Sequence, residues 1–574
     1  MENDLKAAAI AGYERLAAWA DLLDDINVFP VADADTGRNL KISLAPIKEI
    51  HTADGRLAGH LLRAATGNSG NIAAVFFSEF LTAQSESQLQ QKVASGNSNA
   101  WKAIADPKQG TMLTVFETLT RILGRPAEAA PNPMLSELVT PLVDAVHATR
   151  RLLPELKEAG VVDSGALGMF LFFEGFFKTL YRENPAFISI TETFGDTIRL
   201  QKQPPDSSRG EVCISTLIKS GRDTAGLSRK LEKMGRSIVS VRQGKNLKIH
   251  LHSKDLDTVK RELQTWGDLV EWKAQPIQIV PPPETASQPD LQKVHIVADA
   301  AGSITRKDAR RLGITLMDSY IITDDLACPE TAVAPDELYK SMRAGRRIST
   351  AQASVFERHQ SYGSLCSRFN RVVYLCVGSA YTGIYQNARD WLANQKQAAG
   401  MTVLDTGAAA GRLALITLAV AEYANRGKTL SQVLACAASA IKNCEELVFI
   451  DQLKYLVAGG RISKTGGFFG DLFRVKPVVT PLSDGIKKVG VVRKVKQQLP
   501  FALDYFTGRI GTGKKSWILL QYTDNQKRVA EEVKPAVQSA FPGSDVLLSP
   551  LSLTSGVHMG PGTWAMAVLP QTDA

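Results

Sequence analysis

The sequence predicts a multidomain protein with an all-α domain, then an α+β ferredoxin-like domain, then an α/β domain. The 574 residues exceed what one hydrophobic core normally holds. Two Pro/Ser-rich segments, QPPDSSRG at 203–210 and PPPETASQPDLQ at 281–292, are typical of linkers. The hydrophobic period also changes between the blocks that they separate. We therefore expect domains at 1–202, 210–280 and 293–574.

Each block has its own pattern. The first has long Ala/Leu-rich stretches with helical periodicity. The second has strands at EVCISTLI, SIVSVRQ, NLKIHLH and VEWKAQPIQIV and helices at TAGLSRKLEKMG and LDTVKRELQTW, which is the β-α-β-β-α-β order of a ferredoxin-like domain. The third opens with the strand VHIVADA and the helix ITRKDARRLG and continues as alternating strands and helices, which predicts a largely parallel sheet.

The composition and residue patterns argue against several classes of protein, namely secreted, membrane-spanning and nucleic-acid-binding proteins. With 44% hydrophobic and 22% charged residues, the chain resembles ordinary soluble proteins. The first residues lack a secretory-signal pattern, and the longest clean apolar run, at 413–421, is too short to span a bilayer. Six cysteines without a close CxxC pair indicate reduced thiols and a cytoplasmic location. A net charge of +9 permits an anionic ligand but does not indicate nucleic acid.

The stretch NVFPVADADTGRNL, at 27–40, places Asp33 and Asp35 two positions apart, directly before Thr36 and Gly37. Carboxylate oxygens suit hard cations such as Mg²⁺, and a glycine allows close backbone approach. The alternative is an ordinary helix cap, because Asp and Thr are common at that position. The motif alone leaves both interpretations open.

Other helix starts in the same block favour a nucleotide. GNSGN at 67–71 predicts a helix start where backbone N–H groups can bind phosphate. KQGTMLTV at 108–115 and VDSGALGMF at 162–170 are similar small-residue starts. Magnesium ligands together with several phosphate-compatible helix starts imply a nucleotide.

In order and spacing, these stretches resemble the nucleotide-binding domain of the dihydroxyacetone-kinase-like family, above all its bacterial fatty acid kinase branch. The resemblance covers about residues 5–195 and implies an eight-helix barrel that holds ATP through two Mg²⁺ ions. Asp33 and Asp35 would bind metal, with Asn27 as a third ligand. The family usually has PDGDTG where this chain has ADADTG, so Ala34 would stiffen the loop. The expected nucleotide-site residues are Thr36, Asn39, Gly67, Asn68, Ser69, Gly70, Thr111 and Met112.

The middle block carries a second candidate site. Period 2 on NLKIHLH puts His250 and His252 on one face, and the neighbouring strand can bring Cys213 to them on the side away from the helices. One thiolate and two imidazoles are good zinc ligands that leave a fourth position open. The alternative is a chance cysteine beside two half-exposed histidines. The middle domain of fatty acid kinases has a similar set, which implies a functional role but leaves metal binding and direct participation in transfer open.

The third block resembles DegV-type fatty-acid-binding proteins through VHIVADAAGSITRKDARRLGIT, STAQAS, VGSAYTGIYQNA, LKYLVAGGRIS, KPVV and GVHMGPG. The resemblance implies two α/β lobes around an acyl chain, with the carboxylate held by Thr350, Ser379 and His558. Arg461 and Arg493 are candidate supporting cations. The alternative for His558 is an ordinary turn residue whose imidazole forms hydrogen bonds with the backbone. The usual TSQPS and SSxxSGTY appear as TAQAS and GSAYTGIY, which removes hydroxyls from the motif.

Together the blocks predict a fatty acid kinase fused to its acyl carrier, which phosphorylates a bound fatty acid with ATP to give an acyl phosphate. The alternatives are a dihydroxyacetone-type kinase and a non-catalytic lipid-binding or regulatory protein. We expect a homodimer, an acyl-accepting enzyme such as a membrane-surface acyltransferase as partner, no nucleic acid, and transient presence at the inner membrane surface. GRIGTGKK at 508–515 lacks the hydroxyl residue that a phosphate-binding loop needs after its lysine, and predicts a basic surface with Lys487, Lys488, Arg493, Lys494 and Lys496.

Overall fold

The computed structural model describes residues 2–52, 55–124, 135–182, 186–202, 210–222, 226–277, 293–323, 326–395, 400–459, 475–510 and 515–571. The chain forms two compact units. Unit 1 comprises residues 1–288 with the short segments 325–327 and 356–364, and unit 2 comprises the remainder. Both predicted linkers lie almost entirely outside the described residues.

The N-terminal region of unit 1 is helical, as the periodicity predicted. Its helices are α1 (Glu2–Ala17), α2 (Ala20–Asp25), α3 (Thr36–Leu44), α4 (Leu57–Ala64), α5 (Gly67–Phe80), α6 (Glu86–Ala103), α7 (Met112–Leu123), α8 (Leu135–Leu152), α9 (Pro154–Ala159), α10 (Ser164–Tyr181) and α11 (Ile190–Phe194).

Phenylalanines from α5, α7 and α10 fill the core of this helical region. The rings of Phe76 and Phe116 stack with centroids 3.9 Å apart, and Phe77 packs against Phe172 at 4.4 Å. All four rings are fully buried. Burial of each such ring contributes on the order of 2–3 kcal/mol. This packing fixes the helices whose first turns form the candidate site.

The middle region has the predicted element order. Its elements are β1 (Val212–Lys219), α12 (Leu227–Leu231), β2 (Arg236–Gln243), β3 (Asn246–Ser253), α13 (Leu256–Trp266) and β4 (Asp268–Pro276). The strands form one antiparallel sheet in the order β2-β3-β1-β4. Apolar side chains on one sheet face pack against both helices, which leaves the other face for the cysteine and the histidines.

The middle sheet packs against the helical region through β2. Val239 is buried in a cluster with Val75 of α5 and Ala103 of α6. Ile104, just past α6, forms a bridge with Val239, and the backbone N–H of Ala105 donates to the carbonyl of Ile238 at 3.2 Å. Backbone pairing and apolar burial therefore join the two regions within unit 1.

The C-terminal region is α/β. Its strands are β5 (His295–Asp299), β6 (Ile314–Met317), β7 (Ser319–Thr323), β8 (Leu326–Pro329), β9 (Ile348–Gln352), β10 (Val372–Cys376), β11 (Met401–Asp405), β12 (Glu445–Phe449), β13 (Lys476–Leu482), β14 (Gly485–Val492), β15 (Ser516–Tyr522), β16 (Asp545–Pro550) and β17 (Trp564–Pro570). Its helices are α14 (Arg306–Leu312), α15 (Pro335–Arg343), α16 (Val355–Arg368), α17 (Ile384–Ala393), α18 (Ala410–Ala424), α19 (Leu430–Asn443), α20 (Lys454–Ala458), α21 (Gln498–Ile510), α22 (Gln526–Arg528), α23 (Lys534–Ala540) and α24 (Leu553–Met559).

The prediction of a largely parallel sheet holds for part of this region. The sheet β11-β10-β5-β6 is parallel throughout. In the sheet β14-β13-β12-β17-β15-β16, only β15 and β16 pair in parallel, so the prediction is wrong there. Ser483 and Asp484 form the two-residue turn of the β13–β14 hairpin, with Gly485 paired opposite Leu482, and such a short turn joins antiparallel strands.

Within the described ranges, every helix is too short or too polar to cross a bilayer.

Candidate functional site

The helix starts predicted from small residues are confirmed. Helix α5 begins at Gly67, α7 at Met112 and α10 at Ser164. Thr111 and Asp163 cap their helices by accepting from backbone N–H groups. Asp35 occupies the same position before α3, yet its carboxylate makes no capping bond within the described part of the chain. Asp35 is thus the N-cap residue of α3 by position, but capping does not account for its carboxylate.

A small hydrogen-bond network surrounds the Asp33–Asp35 loop. The Asn27 side-chain amide donates to the Asp33 carboxylate at 2.9 Å and to the carbonyl of Val31 at 2.8 Å. The Thr36 hydroxyl donates to the Asn27 Oδ1 and lies 3.3 Å from the Ser69 hydroxyl. This geometry engages Asn27 with its neighbours and joins the loop to the first turn of α5.

Three glycines allow this close approach. A Cβ at Gly37 would lie 1.9 Å from the Ala20 carbonyl oxygen. A Cβ at Gly67, whose φ is +62°, would lie 2.0 Å from Asn39 Nδ2, and one at Gly70 would lie 2.0 Å from Ser43 Oγ. Helix α3 therefore packs closely against the start of α2 and against the first turn of α5, and larger residues would separate these helices.

The remaining predicted nucleotide residues lie around the same ends. Met112 is buried, and a Cβ at Gly165 would lie 2.8 Å from its Cε, so the starts of α7 and α10 adjoin. Asn68 and Thr111 are half-buried. The Ser164 hydroxyl donates to Asn27 Oδ1 at 3.4 Å. The sequence predicted a helix start at VDSGALGMF but did not predict this hydrogen bond.

Electrostatics at the loop favour a cation. Burial, together with the charge of the adjacent Asp35 carboxylate and a hydrogen bond to it, raises the pKa of Asp33 to about 8. Two like charges held this close repel each other unless one is protonated or a cation lies between them. Hard oxygen donors on a glycine-containing loop fit Mg²⁺, and the donors available are the carboxylates of Asp33 and Asp35.

Asp163 is a second buried carboxylate that the sequence did not single out. It accepts from the backbone N–H of Ala166 at 2.7 Å. Burial raises the pKa of Asp163 to about 7, although the hydrogen bonds from Ala166 and Gly165 lower it. The Asp-Ser-Gly sequence before an apolar helix was the available signal, because Asp is a common helix cap. Its contacts indicate that Asp163 fixes the start of α10.

Cys213, His250 and His252 converge on one face of the middle sheet. The register puts Cys213 opposite His252 and Ser215 opposite His250. The ligand atoms of the three residues lie within 4.8 Å of one another, and Cys213 Sγ is 3.8 Å from His250 Nδ1. His250 Nε2 and His252 Nδ1 are buried without a hydrogen-bond partner among the described residues. A metal ion would satisfy such nitrogens, and the donor set fits zinc.

This cluster lies near the Asp33–Asp35 loop. Burial, with added repulsion from the charges of Asp35 and Asp33, raises the pKa of the Cys213 thiol to about 12. Burial lowers the pKa of His250 well below its ordinary value; burial and the positive charge of Arg236 lower the pKa of His252 to about 4. Both imidazoles are therefore neutral near pH 7, and a thiolate would need a bound cation.

In unit 2, Thr350 and His558 come together. Thr350 lies on β9 and His558 in the last turn of α24, and Thr350 Oγ1 is 3.0 Å from His558 Nε2. A Cβ at Gly459 would lie 2.3 Å from His558 Nδ1, so the imidazole fits against bare backbone. His558 therefore lies on a helix and its imidazole contacts the Thr350 side chain. The alternative had placed His558 in a turn, with its imidazole bonded to the backbone.

The other predicted carboxylate-site residues differ in exposure. Ser379 is exposed in the loop after β10, and its backbone N–H donates to Asp405 Oδ1 at 3.1 Å. Arg493 is exposed just past β14, with its backbone N–H bonded to Gln497 at 3.0 Å. Arg461 lies outside the described residues.

Several known proteins are similar to parts of this chain. Protein YloV of Bacillus subtilis is 28% identical over 295 residues, which are 46% of this chain and 53% of that protein. An uncharacterized protein of Staphylococcus haemolyticus is 27% identical over 296 residues, with the same two shares. The chain spans about half the length of these curated relatives.

Two solved structures align with about half of this chain. A structure described as fatty acid binding of a DegV family protein, from Thermus thermophilus, has a TM-score of 0.45 and 22% identity, covering 49% of this chain and 100% of its own. DegV from Bacillus subtilis, described as a fatty acid binding protein, has a TM-score of 0.45 and 16% identity with the same coverage.

Three family models match successive parts of the chain. The DAK2 domain matches residues 30–178, the FakA-like middle domain of fatty acid kinases matches residues 210–278, and the DegV family, described as uncharacterised protein, matches residues 293–571. The chain is therefore a DAK2 domain and a FakA-like middle domain fused to a DegV domain in one polypeptide.

Proposed function

We propose that this protein is a fatty acid kinase that phosphorylates the carboxylate of a fatty acid bound by its DegV domain, with ATP as donor and an acyl phosphate as product. The match to the FakA-like middle domain of fatty acid kinases supports the acceptor class, and the DAK2 domain supports a kinase. The proposal includes an eight-helix barrel for the helical domain and a ferredoxin-like fold for the middle domain.

One observation carries the kinase assignment. Asp33 and Asp35 hold two carboxyl groups together, and Asp35 uses neither oxygen to cap the helix that it precedes. Magnesium bound there would neutralise the phosphate charge of ATP. Around it, the Thr36 and Ser69 hydroxyls and the first backbone N–H groups of α5, a helix of 14 residues, can orient phosphate oxygens. Asn27 holds Asp33 in place and is the third candidate ligand.

The acceptor needs no general base. A fatty acid carboxylate is already ionised near neutral pH. One of its oxygens forms the new bond to the terminal phosphorus while the bond from phosphorus to the ADP oxygen breaks, so the step releases no proton. Orientation of the carboxylate is then the main demand on the protein. We assign capture of the carboxylate before transfer to Thr350, Ser379 and His558 in the DegV domain, with Arg461 and Arg493 as supporting cations.

The cluster of Cys213, His250 and His252 belongs to the same proposal. Its position near the Asp33–Asp35 loop supports either a Zn²⁺ ion or direct participation in transfer. We also propose a cytoplasmic homodimer that reaches the inner membrane surface transiently and passes acyl phosphate to an acyl-accepting enzyme.

Phosphoryl transfer from labelled ATP to palmitate or oleate, compared with dihydroxyacetone, tests the proposal. The intact chain should label the fatty acid, and Asp35→Asn should lower the rate at least about 100-fold while its fold and lipid content persist. Asp144→Asn removes an exposed carboxylate on α8 and serves as the control. Labelling of dihydroxyacetone alone, or normal turnover in Asp35→Asn, would contradict the assignment.

A further inference from the structure

A row of side chains crosses the middle sheet beside the cysteine and the histidines. The register places Arg236 of β2 opposite His252 of β3, and His252 opposite Cys213 of β1. Directly opposed residues of antiparallel strands project from the same face. Arg236 therefore lies next to the cluster at an edge strand of the sheet.

A β-bulge produces this placement. Arg236 and Val239 are three residues apart, whereas their partners His252 and His250 are two apart, so β2 carries one extra residue. In a regular strand, Arg236 and Val239 would point to opposite faces. Ser237, inside the bulge, has φ +55°, a left-handed conformation that is strained for a non-glycine residue. Bulges often re-aim side chains next to active sites.

Arg236 is a cation that solvent can reach. Its side chain is 40% exposed and forms a fork with Glu211, with Nε at 3.0 Å from both carboxylate oxygens and Nη2 at 2.9 Å from Oε2. Lys248 on the same face is different, because its side chain is 4% exposed and lies 3.7 Å from Glu271. The Glu211 carboxylate shows that the Arg236 fork accommodates a carboxylate beside the cluster.

We propose that Arg236 binds the carboxylate of the acceptor at the Cys213, His250 and His252 cluster during phosphoryl transfer, after its capture by the DegV domain, and that Glu211 holds this guanidinium ready until the substrate carboxylate replaces it. The inference rests on the proposed function. A guanidinium presents paired N–H donors that match a carboxylate, and charge-assisted bonds of this kind are stronger than bonds between neutral groups. Magnesium at Asp33 and Asp35 would offset phosphate charge, whereas Arg236 offsets the charge that the acceptor adds.

Single-turnover transfer in chains preloaded with oleate tests the inference. Arg236→Met should slow transfer by about 10- to 100-fold, with unchanged affinity for Mg-ATP and unchanged oleate occupancy. Arg236→Lys should recover part of the rate, because it keeps the charge and loses the fork. Glu211→Gln is the matched comparison: it breaks the same ion pair but leaves the guanidinium, so transfer should slow much less than in Arg236→Met.

Each other outcome has a distinct meaning. Equal losses in Arg236→Met and Glu211→Gln would show that the ion pair only supports the sheet, and would overturn the inference. A weaker affinity for Mg-ATP in Arg236→Met would place the guanidinium on the nucleotide and would also overturn it. If the unaltered chain labels no fatty acid, the proposed function is wrong. The inference about Arg236 is then wrong as well, because it needs a fatty acid carboxylate as acceptor.

Discussion

The sequence predicted a three-residue site in the middle domain and another in the DegV domain. The structure brings the three residues together in the middle domain but only two of them in the DegV domain. Cys213, His250 and His252 stand on neighbouring strands, and their ligand atoms lie within 4.8 Å. In the DegV domain, Thr350 and His558 form a contact at 3.0 Å, whereas Ser379 is exposed in a loop. Strand period and register place side chains reliably, but loop positions depend on packing between distant segments.

The largest expected effect comes from a substitution in the cluster of Cys213, His250 and His252. Cys213→Ser should remove about one zinc per chain and lower phosphoryl transfer at least about 100-fold, because loss of one of three protein ligands opens the site. Elemental analysis and the transfer assay measure the two effects. Ser215→Ala, on the same sheet face, is the control and should retain both. Transfer lost without any metal in the unaltered protein would favour a direct role for the thiol.

The next effect concerns the DegV domain. His558→Gln and Thr350→Val should each weaken oleate binding by about 10-fold, because each removes a donor for the carboxylate. Ser379→Ala should change the affinity less, since that side chain is exposed. Burial of the alkyl chain still contributes about 0.8 kcal/mol per methylene, so part of the lipid should remain bound.

Fluorescent fatty acid displacement measures these affinities, and the Thr350→Val/His558→Gln double variant shows whether the two residues act together. Coupled residues should give less than the sum of the single effects. A loss in Ser379→Ala as large as in His558→Gln would place the carboxylate at the exposed loop and would reverse this assignment.

A smaller effect is the pH dependence of stability from Glu446 in unit 2. Its carboxylate accepts from the backbone N–H groups of Gly411 and Arg412 and from Gln521. Burial raises the pKa of Glu446 to about 7, despite these bonds. The folded state therefore binds the proton more tightly than the unfolded state, and this stabilisation is present below about pH 4.5 and is lost as the pH rises through about 7.

Chemical denaturation between pH 4.5 and 7.5 measures this effect. In Glu446→Gln, the free energy of unfolding should vary with pH by on the order of 1 kcal/mol less over this range, because a neutral amide has no proton to lose. An unchanged profile would mean that other groups dominate in this pH range.

The smallest effect compares two strained alanines. Ala34, in the Asp33–Asp35 loop, has φ +51°, and Ala410, at the start of α18, has φ +49°. Ala34→Gly should raise the free energy of unfolding by up to about 1 kcal/mol, since glycine adopts this conformation without strain. Ala410 is fully buried, so glycine there also loses a packed methyl and should give little net gain. Thermal unfolding distinguishes the two variants, and destabilisation by Ala34→Gly would contradict the strain argument.

Much of the architecture followed from local pattern. The helix starts at Gly67, Met112 and Ser164 and the β-α-β-β-α-β order of the middle domain are confirmed because small capping residues and hydrophobic period are local signals. The prediction of parallel strands failed for the sheet β14-β13-β12-β17-β15-β16 except at the pair β15 and β16, because strand direction there depends on hairpins and long-range chain order. Arg236 was not predicted, because the bulge that turns it towards the cluster shifts the register by one residue.

The sequence by itself determined which residue types could do chemistry and which face of an element they occupy. It determined that Asp33 and Asp35 share one turn, and that His250 and His252 share one strand face. Only the tertiary structure decided that the Cys213, His250 and His252 cluster lies near the Asp33–Asp35 loop, and that the His558 and Thr350 side chains contact each other across 208 positions. Local patterns fix φ, ψ and side-chain direction, whereas such meetings depend on how buried surfaces from distant segments pack together.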